Sequence, residues 1–188
     1  TYLWGAFYRQ GRTRQTDAQL FVNVHPTHVN VGLCVAGSRG SDVLDQFRRN
    51  LDQAPDLFLQ LLADLPEGVH LTTAEQHGVR EKEILEVKTV DDLTQLSEAD
   101  LIEIQRRYPA EASILYGPEM ADEVEALFQA LYPLYRFATA EDVTELALVT
   151  EPIDDGDEDE PRYELGDLCT DTYFDAAFWQ EVELLLRE

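Results

Sequence analysis

Three runs near the start of the chain, Tyr2-Leu-Trp-Gly-Ala-Phe-Tyr8, Gln19-Leu-Phe-Val-Asn-Val24 and His28-Val-Asn-Val-Gly-Leu-Cys-Val35, decide the fold. Each is rich in aromatic or β-branched residues, and turn formers fill the gaps between them. Leu20, Val22 and Val24 alternate with Gln19, Phe21 and Asn23, while Val29, Val31, Leu33 and Val35 alternate with His28, Asn30, Gly32 and Cys34. A period of two marks strands with one apolar and one more polar face. Connections this short make the pairing antiparallel, so the spacing predicts a three-stranded meander.

Working outward, Gly37-Ser-Arg-Gly-Ser41 reads as a turn that caps a helix. Asp42 and Asp45 suit its first turn, and Val43, Leu44, Phe47 and Leu51 carry it to about Asp52. Pro55 opens a second helix with Leu57, Phe58, Leu61, Leu62 and Leu65 as its stripe, ended by Pro66-Glu-Gly68. Both helices are expected to cover the apolar face of the sheet. Val69–Thr73 and Ile84–Lys88 follow as a long hairpin, and Thr89-Val-Asp-Asp-Leu93 as a short helix. Ser97-Glu-Ala-Asp100 resembles a capping box and predicts a helix to Arg107, stopped by Tyr108-Pro109. Ala112–Tyr116 is a strand or a helix lead-in, and Pro118 opens a helix that Tyr132-Pro133 ends. Helix is expected again after Thr139.

Pro152 to Pro161 marks a boundary. Asp154, Asp155, Asp157, Glu158, Asp159 and Glu160 crowd between two prolines, with only Ile153 to anchor the segment. Such a run cannot bury a core, so residues 150–162 are expected to be a disordered acidic linker. The fold class expected is α+β: an antiparallel sheet covered by helices in residues 1–149, and a C-terminal helical segment in 163–188.

Composition narrows the chemistry. Of 188 residues, 38 are acidic and 14 basic, a formal net charge of −24 that opposes nucleic acid as a partner. Six arginines against three aspartates nevertheless leave residues 1–50 at +3, so the acidity belongs to the later chain. Two distant cysteines, Cys34 and Cys169, make no disulfide framework or metal-ligand spacing, which points to a cytoplasmic protein without metal. No apolar run approaches the roughly 18 residues of a membrane span, so no membrane partner is expected. A chain that opens at Thr1 without methionine is expected to belong to something longer.

Catalytic patterns fail. Neither Lys82 nor Lys88 follows a glycine, so there is no phosphate-binding loop. Ser38 and Ser41 lack a nucleophile elbow, and carboxylates are too abundant for any pair to stand out. His25 and His28 flank a hairpin tip, either as turn histidines or as metal ligands. One constellation remains: the tip bearing Arg9, Arg12 and Arg14 lies at the same end of the sheet as Ser38, Arg39 and Ser41, where a helix begins. Guanidinium forks and backbone amides suit an anion, though a solvated tip accounts for the same residues. Trp4 shares a strand face with Tyr2, Ala6 and Tyr8, as core or as a stacking platform.

The segment Tyr163-Glu-Leu-Gly-Asp-Leu-Cys-Thr-Asp-Thr-Tyr-Phe-Asp-Ala-Ala-Phe-Trp-Gln-Glu-Val-Glu-Leu-Leu-Leu-Arg-Glu188 resembles the stretch before the nucleotide-binding loop in McrB-like AAA+ ATPases. The strand Leu3-Trp-Gly-Ala-Phe7 and the run Asp17-Ala-Gln-Leu-Phe21 look like parts of N-terminal domains of that type. The resemblance implies a non-catalytic N-terminal region that recognises a target or partner for a ring-forming motor. It implies that ATP or GTP with Mg binds only in the motor, and that a nuclease is a possible partner. Phe178, Trp179, Val182, Leu185 and Leu186 form an apolar stripe expected to pack on the AAA+ domain. Two rivals stand beside this reading: an acidic DNA mimic, and a small-molecule enzyme with a pocket between sheet and helices.

Overall fold

A computed structural model of the chain describes residues 3–13, 16–37, 42–74, 83–112 and 118–148. Strands β1 (Leu3–Phe7), β2 (Gln19–His25) and β3 (His28–Ala36) form the expected meander. Helices α1 (Asp42–Gln53) and α2 (Pro55–Ala63) follow, then β4 (Val69–Ala74) and β5 (Glu83–Leu85). A 3-10 turn at Val90–Leu93 leads into α3 (Thr94–Glu98), β6 (Leu101–Pro109), α4 (Pro118–Thr139) and a 3-10 turn at Val143–Leu148. Every strand pairing is antiparallel, in the order β1-β2-β3-β6-β4-β5, and the fold is α+β. The linker at 150–162 and the helical segment at 163–188 lie outside the described residues.

The helix expected from Ser97 to Arg107 is a strand. Strand β6 sits in the middle of the sheet, with Ile102, Ile104 and Tyr108 opposite Val35, Leu33 and Val29 of β3. Those six side chains are buried in one core, at a period of two that outweighs the capping signal at Ser97. Ser97 itself lies inside α3, its hydroxyl donating to the Leu93 carbonyl.

The stop expected at Tyr132-Pro133 is also absent, because α4 runs through Pro133 to Thr139. Proline costs a helix one hydrogen bond and a clash with the preceding turn. The offsetting term is burial: Leu131, Leu134, Phe137 and Ala138, on either side of Pro133, are all at or below 1% exposure. Past Thr139 the chain forms the 3-10 turn at Val143–Leu148 rather than a further α-helix.

Helices α1 and α4 cover one face of the sheet, as expected of α1, while α2 packs against α1 and α4. Phe47 of α1, Phe58 of α2 and Phe137 of α4 meet beneath β3 with ring centroids 5.2–6.1 Å apart. Asn50 of α1, fully buried, donates to the carbonyls of Phe137 at 2.6 Å and Ala140 at 3.1 Å. It thereby satisfies orphan carbonyls at the end of α4 and locks that end onto α1. Strand β2 departs from the simple alternation: Val24 is exposed, while Phe21 and Gln19 on the opposite face are buried. The helix layer centres on β3, so the Val24 end of β2 receives only part of its cover.

Gly32 lies between Phe21 of β2 and Gln105 of β6. A Cβ there would stand 2.6 Å from Gln105 Cβ and 2.6 Å from the Ile104 carbonyl oxygen. Both are set by a paired neighbouring strand that cannot give way. Gly32→Ala is therefore expected to lower stability by about 1–3 kcal/mol in urea unfolding, as overpacking does. An unchanged midpoint would show that β6 can shift away from β3.

Candidate functional site

The site starts from a buried carboxylate. Asp17 is fully buried in the turn before β2, and a carboxylate without partners there would be untenable. Arg9 supplies them: its backbone N–H donates to Asp17 Oδ2 at 3.0 Å, its Nε to the same oxygen at 3.0 Å, and its Nη2 to Oδ1 at 2.7 Å. Tyr135 of α4 donates its hydroxyl to Oδ2 at 3.1 Å, and Arg9 Nη1 donates to the Thr139 carbonyl at 3.3 Å. Gly11, in the left-handed region at φ +77°, turns the chain between these groups. The β1–β2 hairpin is thus pinned to the end of α4.

This pinning shapes a cavity of about 170 Å³. Arg9, Arg12 and Thr16 of the hairpin form one wall; Asp42, Val43, Gln46 and Arg49 of α1 form another; Thr139 and Glu141 close the end. The hairpin tip and the start of α1 do meet, which is the geometry expected for Arg9 and Arg12. Arg14, Ser38, Arg39 and Ser41 lie outside the described residues, as do Phe178, Trp179, Val182, Leu185 and Leu186. Arg49, Gln46 and Glu141 were not foreseen, because in the sequence they are ordinary polar positions with no motif around them.

The charges decide what the cavity can do. Arg9 is already matched by Asp17, whose hydrogen bonds hold the guanidinium above its ordinary pKa. Arg12 makes no ion pair among the described residues, and Arg49 donates only to the amide oxygen of Gln46, at 2.7 Å. Asp42 and Glu141 line the same cavity. Among the described residues, Arg12 and Arg49 are matched in number by Asp42 and Glu141 beside the Arg9–Asp17 pair. Arg9 braces the hairpin through Asp17 while also lining the cavity.

The histidines make a separate cluster. His25 and His28 stack with centroids 4.7 Å apart, and Thr27 Oγ1 lies within hydrogen-bond distance of both rings. The guanidinium of Arg107 reaches His28 Nδ1 at 2.9 Å. Burial first, then Arg107 and His25, lower the pKa of His28. A fixed cation on that nitrogen opposes a metal there. Among the described residues no group of three or more His, Cys, Asp or Glu side chains could hold a metal ion, and no helix is long and apolar enough to cross a membrane. Cys34 is half-buried in β3.

No family model matches the chain, and no curated protein is found as a relative.

Removing the brace should cost stability. Arg9→Ala leaves Asp17 buried without its countercharge, and a fully buried pair broken this way costs about 3–5 kcal/mol. Arg9 is 43% exposed at its side chain, so about 2–3 kcal/mol is expected in urea unfolding after allowing for solvent screening. A loss below about 0.5 kcal/mol would mean that the pair is no better than a surface ion pair. Burial first, then Asp17, push the Tyr135 hydroxyl far above its usual pKa of 10.0. The unfolded chain then loses this proton near pH 10 while the folded one keeps it, so stability is full below pH 10 and falls as pH rises beyond. Tyr135→Phe should cost about 1–2 kcal/mol at pH 8, with a gap to the wild type that narrows above pH 10. A gap that stays constant with pH would contradict the buried hydrogen bond.

Proposed function

We propose that this chain is a non-catalytic recognition domain of an McrB-like AAA+ ATPase in the cytoplasm, and that the groove beside Arg9 contacts a protein partner rather than DNA. The family part of this reading rests on the resemblance of residues 163–188 and of the β1–β2 region. Nucleotide and Mg belong to the motor, and a nuclease is the further partner in such an assembly.

The observation that carries the choice of partner is the balance of the groove. Arg12 and Arg49 stand with Asp42 and Glu141 around a pre-organised Arg9. A phosphate backbone would meet two carboxylates there, on a body carrying −24. A polypeptide surface presents both signs and can answer both. This cavity, at about 170 Å³, is smaller than the roughly 300–1,000 Å³ of small-molecule sites, so it does not itself supply the pocket that the enzyme alternative needs. The acidic mimic needs an ordered acidic surface, and the densest acidic run, Asp154 to Glu160, lies in the expected linker.

Titration of labelled single- and double-stranded DNA at low salt tests the choice. The wild type and Arg12→Ala/Arg49→Ala are expected to give the same weak signal, within about twofold. A loss of tenfold or more in the variant, with log K falling against log salt at a slope near −2 for about two phosphate contacts, would establish a nucleic-acid site instead. The family part is read from the gene. A glycine-rich phosphate loop is expected within about fifteen codons of Glu188, as the motor requires. A stop codon at that point would end the motor reading while leaving the groove in place.

A further inference from the structure

We infer that β1 is a self-pairing edge, through which two copies of this chain join their sheets about a two-fold axis. Strand β1 ends the sheet at one side, and among the described residues no strand pairs with its outer edge. Natural edges are blunted by charges, prolines, bulges or extreme shortness. The other edge, β5, is only three residues long and carries Glu83. Leu3-Trp-Gly-Ala-Phe7 has none of these devices: five residues, no charge, no proline, and an unbroken register with β2.

The sequence of β1 is complementary to itself. A two-fold axis perpendicular to the sheet keeps both helix layers on the same side, so helix-side residues must pair with helix-side residues. Leu3, Gly5 and Phe7 share the side of Val24, Val22 and Leu20, and Trp4 and Ala6 share the other. Centring the axis on Gly5 pairs all five residues at once. Leu3 then faces Phe7 of the second copy on the helix side, and Trp4 faces Ala6 on the other, large against small. Moving the centre to Trp4 would set two indoles against each other and lose two pairings.

Exposure supports the same contact. Leu3, Trp4, Phe7 and Val24 are 51%, 38%, 37% and 41% exposed, a cluster of large apolar side chains along one edge. Phe7 rests on Phe128 of α4 at 5.5 Å between centroids, so a second copy's Leu3 would land beside an aromatic floor already in place. A closed two-fold pairing satisfies both edges at once and does not propagate into fibres. A junction of two five-residue strands is smaller than the roughly 1,200–2,000 Å² of stable interfaces, so a weak dimer, of micromolar order or weaker, is expected. The acidic bodies repel over about a Debye length while the contact strands are neutral, so salt should tighten the dimer. Nucleic-acid binding through arginines would weaken with salt instead.

Sedimentation velocity of the full chain, from about 5 to about 500 μM and from about 50 mM to about 1 M NaCl, tests the inference. The wild type is expected to dimerise, with the dimer fraction rising with salt. Leu3→Lys and Ala6→Lys place a charge on each face of β1 and should give monomer under the conditions where the wild type is dimeric. Ile84→Lys, on the opposite edge at a position 68% exposed, should dimerise as the wild type does. Thermal melting of all three variants within a few degrees of the wild type separates lost association from lost folding. A wild type that stays monomeric at every concentration and salt overturns the inference. So does a dimer that survives both β1 substitutions, or one that Ile84→Lys abolishes.

Discussion

A carboxylate placed where no water reaches it must be answered on every side, and Asp17 is placed that way. Its two oxygens draw in the backbone and guanidinium of Arg9 from one strand connection and the Tyr135 hydroxyl from a helix more than a hundred residues later. An apolar residue at position 17 could be buried against many shapes, whereas an ionised one fixes directions. The hairpin therefore cannot slide along α4 without stranding a charge, and the groove keeps its width because its floor is held by ion pairing rather than by contact alone.

Much of this arrangement was legible in the sequence, and the failures have physical causes. The meander and α1 could be read because each carries one clean period, with Val29 to Val35 in steps of two and Val43 to Leu51 in steps of three and four. Strand β6 was not, because its period is masked. Arg106 occupies a helix-side position between Ile104 and Tyr108, and the Ser97-Glu-Ala-Asp100 sequence imitates a helix start. Pro133 misled for a similar reason: local chemistry forecasts a stop, and only the depth of Leu134 and Phe137 in the core shows why the helix continues. Of the residues that line the cavity, Arg9 and Arg12 stood out in the sequence as arginines of one hairpin tip. Arg49 and Glu141 come together only through tertiary packing of α1 on α4, which no spacing in the chain announces.

The electrostatics of the molecule have two scales. Overall the chain is strongly anionic, yet positive and negative groups alternate at the one groove where α1, α4 and the hairpin meet. At distance a partner meets a negative field, screened over several ångströms in physiological salt. At contact it meets an ordered set of both signs. Under the proposed reading such a surface would select among partners by register more than by attraction, since a displaced partner sets like charges together.

The position of β6 also governs how the chain can reach its fold. The third strand emerges early in the chain, and its neighbour on the far side, β6, lies beyond α1, α2, β4, β5 and α3. Until residues 101–109 are made, β3 has a bare edge and β4 has nothing to join it to the meander. Completing the sheet therefore requires strand pairing across a long stretch of chain, a topology of the kind that folds slowly. During synthesis the N-terminal meander keeps one edge of β3 unpaired until its central neighbour is made.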